Sequence, residues 1–294
     1  MEVTGSAARL RAACDDARAG GGEVGFVPTM GALHQGHGRL LATARRECSF
    51  LAASIFVNPL QFGPGEDLAA YPRPRTRDQA VAASLGCNLL FTPDESEMYP
   101  KGRPQVGIDP GPLGERLEGA FRPGHFQGML TAVAKLFNMV GPCRAYFGEK
   151  DAQQLAMVRR MVADLSAPVT VVPVPTVREI DGLALSSRNA YLGPDERRAA
   201  PALFDALSAA ATLVRRGERD PNVLRAEMAK RIGAEPLAKL EYVAVVDDRT
   251  WEEMGRIDGP ARALVAARVG SARLIDNLLL PATMENMPAT EEED

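Results

Sequence analysis

No charge of either sign dominates this chain: 34 basic and 38 acidic side chains leave a formal net charge of −4. That balance excludes a global electrostatic footprint for nucleic acid or a membrane surface, while leaving room for a local basic site. Cysteine is scarce and scattered, at Cys14, Cys48, Cys87 and Cys143, with no short paired spacing. Disulfide frameworks and zinc ribbons need such pairs, so the thiols read as packing or surface residues in a reducing compartment. Long apolar runs are missing too. Met1–Gly22 mixes Ala and Arg with acids around no hydrophobic centre, and no later stretch would span a bilayer. There is no internal repeat. The expectation is a soluble, cytoplasmic protein, and 294 residues suffice for two domains without staples.

What is present is alternation. Arg9–Ala19 has the pattern of a short amphipathic helix, ended by Gly20-Gly21-Gly22 and followed by a buried strand over Glu23–Thr29. A helix over His37–Cys48 comes next. Phe50–Asn58 is a continuous, β-branched apolar run, as in a parallel strand covered on both faces. Pro59–Pro74 is a long Pro- and Gly-containing loop, a length often associated with function. Helices over Asp78–Leu85, Gln127–Val140 and the stripe Leu155, Val158, Val162 and Leu165 alternate with strands at Asn88–Thr92, Ala145–Phe147 and Val169–Val174. Strand–helix alternation predicts an α/β fold, a Rossmann-like parallel sheet with ligands at the carboxyl ends of its strands.

From Thr176 the texture changes to Ala/Arg/Glu helices over Pro194–Arg216 and Pro221–Ile232, then antiparallel strands over Tyr242–Val246, Ala263–Val269 and Arg273–Leu280. The predicted organisation is a nucleotide- and substrate-binding domain over 1–175, a smaller α+β lid domain over 176–282, and an acidic disordered tail over 283–294.

One stretch organises the rest: Phe26-Val27-Pro28-Thr29-Met30-Gly31-Ala32-Leu33-His34-Gln35-Gly36-His37. An apolar strand passes through two glycines and two histidines into a helix. Helix starts carry unpaired N–H groups and partial positive charge, so this is the expected geometry of a phosphate site. The turn after Phe147, Gly148-Glu149-Lys150-Asp151, would lie on the same sheet edge. There Lys150 is unfavourable for the dipole of a following helix, and a bound anion explains it better. Taken singly, each feature also has an ordinary reading: solvated histidines, a charge pair at a helix start, a polar linker at Leu185–Asn189, surface glutamines at Gln61 and Gln154. His34, His37 and His125 could alternatively be zinc ligands, although the stretch lacks the carboxylate that accompanies metal motifs.

Five segments in register then carry a resemblance. Pro28–His37, Asn58–Asp67, Glu118–Phe126, Tyr146–Gln154, and Pro175–Glu179 continuing to Leu185–Tyr191 are similar to the pantothenate synthetases, pantoate–β-alanine ligases of the HIGH-type nucleotidylyltransferase group. The resemblance is strong from Gly25 to Tyr191 and general in the C-terminal third. It implies ATP-dependent condensation of (R)-pantoate with β-alanine to pantothenate through a pantoyl adenylate, releasing AMP and pyrophosphate. It also implies Mg²⁺ carried on the triphosphate, a homodimer, and no nucleic-acid or membrane partner.

By that resemblance His34, His37, Lys150 and Arg188 act in catalysis, with His37 a proton donor or charge stabiliser. ATP is held by Met30, Gly31, Ala32, Leu33, His34, Gln35, Gly36 and His37, by Gly148, Glu149, Lys150 and Asp151, by Val177 at the adenine, and by Leu185, Ser186, Ser187 and Arg188 in a mobile loop. Gln61 and Gln154 hold pantoate, and Gln61 also meets β-alanine. Asn58, Glu118, Arg122 and His125 line or support the same cavity. No protein ligand of Mg²⁺ is assigned, with Asp78 a helper through water. Gly38-Arg39 departs from the apolar-small pair usual there, and Gln35 replaces a position often acidic. Chemically adjacent readings are a nucleotidylyltransferase acting on another small carboxylate or phosphate, a nucleotide-binding regulatory module without turnover, and a zinc hydrolase.

Overall fold

The computed structural model describes residues 1–281, and the stretch expected as an acidic tail lies outside the described residues. The chain divides into two compact units, Met1–Val177 and Arg178–Asp294.

In the first unit the elements are β1 (Glu2–Thr4), α1 (Ala7–Ala19), β2 (Val24–Thr29), α2 (Gln35–Glu47), β3 (Phe50–Ile55), α3 (Arg75–Ser84), β4 (Leu89–Phe91), α4 (Glu95–Met98), α5 (Glu118–Phe121), α6 (His125–Val140), β5 (Cys143–Gly148), α7 (Ala152–Asp164) and β6 (Val169–Val174). The six strands form one parallel sheet in the order β1-β4-β3-β2-β5-β6. Successive strand residues serve opposite cores, because side chains alternate across a sheet. Phe26, Ala52, Leu89 and Ala145 join the core made with α1, α6 and α7. Val27, Ala53, Leu90 and Tyr146 join the core made with α2 and α3. After the edge strand β1 the chain enters the middle of the sheet at β2, builds outward through β3 to β4 beside β1, then returns to β5 on the other side. The carboxyl ends of β2 and β5 therefore flank the point where strand order reverses, where such sheets bind ligands.

Several boundaries differ from expectation. β1 has no counterpart among the expected elements: three residues are too few for periodicity to show, and pairing with β4 makes the strand. β3 stops at Ile55, short of the expected Asn58, and Asn58 instead caps a 3₁₀ turn over Pro59–Gln61.

The second unit holds α8 (Pro194–Ala199), α9 (Ala202–Arg215), α10 (Pro221–Gly233) and an antiparallel meander of β7 (Ala238–Asp247), β8 (Ala261–Val269) and β9 (Ala272–Leu279). Leu203, Leu207 and Val214 of α9 and Leu224, Met228 and Ile232 of α10 pack on Val245, Val265 and Ala267. The single helix expected over Pro194–Arg216 is two, since Pro201 lacks an N–H and opens a new helix.

Candidate active site

The turn after β2 is shaped from behind. Thr29 Oγ1 accepts the Gly31 N–H at 3.1 Å. Asp78, in the first turn of α3 and only 1% exposed, accepts the Ala32 N–H on Oδ2 and the Leu33 N–H on Oδ1, both at 2.8 Å. Gly31 has φ +84, and a Cβ there would lie 2.8 Å from Ile55 Cγ2 and 3.0 Å from Asp78 Oδ2. Ala32, with φ +50, also sits in the left-handed region, a strain of roughly 1 kcal/mol that the carboxylate bonds offset.

α2 begins at Gln35, two residues before the expected His37, with His34 as its cap. His34 Nδ1 accepts the Gly36 N–H at 3.1 Å, and His37 Nδ1 accepts the His34 N–H at 3.4 Å. The ring centroids are 4.1 Å apart. With Nδ1 accepting in both, each neutral ring carries its proton on Nε2. Burial pushes His34 down to about 4, with the Lys150 charge adding to the effect and Asp151 opposing it. Burial also pushes His37 down to about 3.

This corrects the expectation of an open N–H cradle. The Gly31, Ala32, Leu33, His34 and Gly36 amides already have partners inside the protein. An anion would meet imidazole Nε2–H edges more than free backbone. Gln35 and Arg39 are exposed, and Gly38 faces Leu85 with room for a methyl group.

β5 lies beside β2, so Gly148–Asp151 falls on the same edge, as a 3₁₀ turn over Glu149–Asp151 before α7 rather than the start of the helix itself. Lys150 Nζ is 3.3 Å from Asp151 Oδ1, and both charges reach the two histidines electrostatically. His34, His37, Lys150 and Asp151 are thus brought together.

A second polar cluster lies beyond β3. Gln61 is buried, its Oε1 accepting from Asn58 Nδ2 at 3.1 Å and its Nε2 donating to Met30 Sδ at 3.1 Å. Tyr99 donates to Asn58 Oδ1 at 2.8 Å. Arg122 makes a two-pronged contact with Glu66, at 2.8 and 2.7 Å, and points Nη1 at His125 Nε2, 3.0 Å away. A guanidinium only donates, so His125 Nε2 accepts and its Nδ1–H donates to the Gln61 carbonyl at 2.8 Å. Burial first, then the Arg122 charge, pushes His125 down to about 4. Both its nitrogens being used, the three histidines make no zinc site, and among the described residues no group of three His, Cys, Asp or Glu could hold a metal. On α7, Gln153 is buried and ties down the Leu113 and Arg116 carbonyls. Its neighbour Gln154 is half-buried.

Val177 ends the first unit, while Leu185, Ser186, Ser187 and Arg188 belong to the second. There Ser186 Oγ caps the turn Ser187–Tyr191 by accepting the Arg188 N–H at 3.2 Å.

Sequence reasoning missed the anchoring role of Asp78. The signal was an acid on the apolar face shared by Val81, Ala82 and Leu85. Asp78 as a water-mediated helper for a metal fits poorly, because both carboxylate oxygens already hold the turn.

The family model described as pantoate-beta-alanine ligase matches residues 2–279. A pantothenate synthetase from Chloroflexus aggregans is 54% identical over 282 residues, covering 95% of this chain and 99% of that protein. Another from Rubrobacter xylanophilus is 53% identical over 271 residues, 90% of this chain and 93% of that protein. The crystal structure of pantothenate synthetase from Thermus thermophilus superposes with TM-score 0.90 at 49% identity, covering 96% of this chain and 100% of that one. A pantoate-beta-alanine ligase from Francisella tularensis, complexed with beta-gamma ATP and beta-alanine, superposes with TM-score 0.77 at 33% identity, covering 95% and 97%.

Proposed function

Since this chain belongs to the pantoate–β-alanine ligase family, we infer from its site how it performs that reaction. It is an AMP-forming ligase that condenses (R)-pantoate with β-alanine, at the expense of ATP, through a pantoyl adenylate. A carboxylate is a poor electrophile, so its oxygen first attacks the α-phosphorus and pyrophosphate leaves. The β-alanine amine then attacks the activated carbonyl, and AMP leaves with the bonding electrons. Positioning and charge stabilisation dominate such chemistry.

The observation that best supports the assignment of roles is the pairing of two neutral imidazoles with Lys150 at the reversal point of the sheet. His34 and His37 donate Nε2–H bonds to phosphate oxygens. With a free-enzyme pKa near 3, His37 serves as a hydrogen-bond donor and charge stabiliser rather than as an acid. Lys150 neutralises charge that develops on the leaving pyrophosphate. Met30–His37 and Gly148–Asp151 line ATP, the Val177 backbone meets adenine, and Leu185, Ser186, Ser187 and Arg188 serve the triphosphate. Gln154, half-buried and close to Lys150 in sequence, offers its amide to pantoate. Gln61, held by Asn58 and Met30, presents its amide to pantoate and β-alanine.

Mg²⁺ would enter with the triphosphate, which is normally handled as its magnesium complex, and would supply charge neutralisation at the phosphate oxygens. No step above is routed through it. A homodimer in the cytoplasm completes the proposal, resting on family likeness. No helix among the described residues is long and apolar enough to cross a membrane.

The test is mass spectrometry of protein supplied with ATP, Mg²⁺ and pantoate but no amine. Pantoyl adenylate should accumulate with pyrophosphate, and AMP should appear on adding β-alanine. An adenylylated product indifferent to β-alanine would instead mark a plain nucleotidylyltransferase.

A further inference from the structure

Arg178, the first residue of the second unit, is fastened more heavily than a linker residue needs to be. Its Nη1 donates to Asp276 Oδ2 at 2.5 Å and to the Gly182 carbonyl at 3.0 Å. Its Nη2 donates to Asp276 Oδ1 at 2.9 Å and to the Asn277 carbonyl at 3.2 Å. The guanidinium carbon lies 4.2 Å from the centre of the Phe204 ring. Asp276 is almost wholly buried on β9, and its Oδ1 also accepts the Asn277 N–H at 2.7 Å. Asn277 Oδ1 in turn accepts from buried Arg262 at 2.6 Å, and Arg262 pairs with Asp248. Every member of this chain of groups is satisfied.

Buried ion pairs of this sort gain little net stability, because desolvating two charges consumes most of the Coulomb energy. What they fix is geometry: a planar fork on a carboxylate admits one orientation. The element fixed here is a small hairpin. Arg178 bridges Ala184, the Glu179 N–H reaches the Leu183 carbonyl at 2.9 Å, and the Gly182 N–H closes the turn on the Glu179 carbonyl at 3.0 Å. Gly182 has φ +92, and a Cβ on it would fall 2.1 Å from Phe204 Cδ1. The hairpin is thereby gripped on one side by β9 through Arg178 and on the other by α9 through Phe204. Its outgoing arm leads straight into Ser186–Arg188. Asn189 Nδ2 donates back to the Ala184 carbonyl at 3.1 Å, the Asn189 N–H to the Ser186 carbonyl at 3.0 Å, and the Arg188 N–H to Ser186 Oγ.

We propose that Arg178, Asp276 and Phe204 form a clamp that positions the Ser186–Arg188 segment for the triphosphate, making them positioning residues for the adenylation step. The proposal rests on the assignment of Arg188 to ATP. The clamp gives that segment its shape through the body of the second unit, so a loop expected to be mobile in itself has a preformed backbone.

The test compares Arg178→Lys, Asp276→Asn, the double variant and Arg188→Ala in the full-length protein, by steady-state kinetics, thermal unfolding and pantoate binding without nucleotide. Lys keeps the charge but not the fork. Arg178→Lys and Asp276→Asn should each lower kcat/KM for ATP by about tenfold or more, the size expected when a charge-stabilising group is displaced. Pantoate affinity should stay unchanged, and the double variant should be little worse than either single one, because the pair acts as a unit. In Arg178→Ala, millimolar guanidinium should restore part of the ATP-dependent rate. Folded single variants with normal kcat/KM for ATP would overturn the clamp while Arg188→Ala remained impaired. So would losses spread equally over ATP and pantoate that merely follow the fall in Tm. Normal kinetics in Arg188→Ala would remove the underlying assignment, and the clamp's purpose with it.

Discussion

Helix α6 carries no side chain at Gly128 because the Leu60 carbonyl occupies its place: a Cβ built there would lie 2.1 Å from that oxygen. The Gly128 carbonyl also accepts from Asn58 Nδ2 at 3.0 Å, so helix and turn lock around Gln61. Gly128→Ala should therefore push the turn Pro59–Gln61 away and destabilise the fold by about 1–3 kcal/mol, as overpacking does. The proposed substrate role of Gln61 adds a second expectation, a raised KM for pantoate and β-alanine greater than any change for ATP. Urea titration and initial-rate kinetics check both.

Asp78→Asn keeps the volume but sets an amide N–H₂ against one of the two turn amides. One of those N–H groups then loses its acceptor, at a cost on the order of 1–3 kcal/mol. Ala32 in the left-handed region has little else to hold it, so the His34 and His37 rings should shift. The expected result is a fall in kcat together with changed imidazole resonances in NMR. A variant with lower Tm but unaltered histidine resonances and kcat would assign Asp78 to stability alone.

Lys150→Ala should reduce the adenylation rate on the order of 10²–10³, about 3–4 kcal/mol of transition-state stabilisation. Rapid-quench measurement of pyrophosphate release in the absence of β-alanine reads that step directly. Near-normal formation of the adenylate would reject the role given to this lysine.

Acid should weaken the fold through its histidines. Each binds a proton near pH 6.5 when unfolded but only near about 4, 3 and 4 in the folded state, for His34, His37 and His125. Between those limits the unfolded chain holds more protons, so stability is fully retained above about 6.5 and declines as pH falls toward the folded values. Each imidazole contributes up to about 1.4 kcal/mol per pH unit inside that window. Denaturant midpoints at pH 7.5, 6.0 and 5.0 should fall in that order, and His125→Asn should flatten the trend.

Gly38→Ala is expected to stabilise. Gly38 lies inside α2, its φ is not in the left-handed region, and a Cβ would make only ordinary contact with Leu85 Cδ1 at 3.5 Å. A helix interior gains roughly 0.5–1 kcal/mol from that change. Thermal unfolding should show a higher Tm with ATP kinetics little altered, since the imidazole caps are made by residues before it.

Local sequence was enough for the alternation of strands and helices, the two-faced burial of runs such as Phe50–Ile55, and the two strand-to-helix junctions that bear His34, His37 and Lys150. Those features are local: periodicity, glycine placement and side-chain type act within a few residues. Only tertiary structure decided that three residues at Glu2–Thr4 form a strand, since pairing with β4 supplies the bonds they cannot make alone. It also decided what the helix start at Gln35 does with its amides. An open anion cradle was the local reading, yet Asp78, 46 positions away from Ala32, closes part of it, and the two histidines close most of the remainder on each other. A backbone N–H takes whichever acceptor the fold brings within reach. Here a buried carboxylate from another helix arrived first, leaving the imidazole edges to meet the substrate.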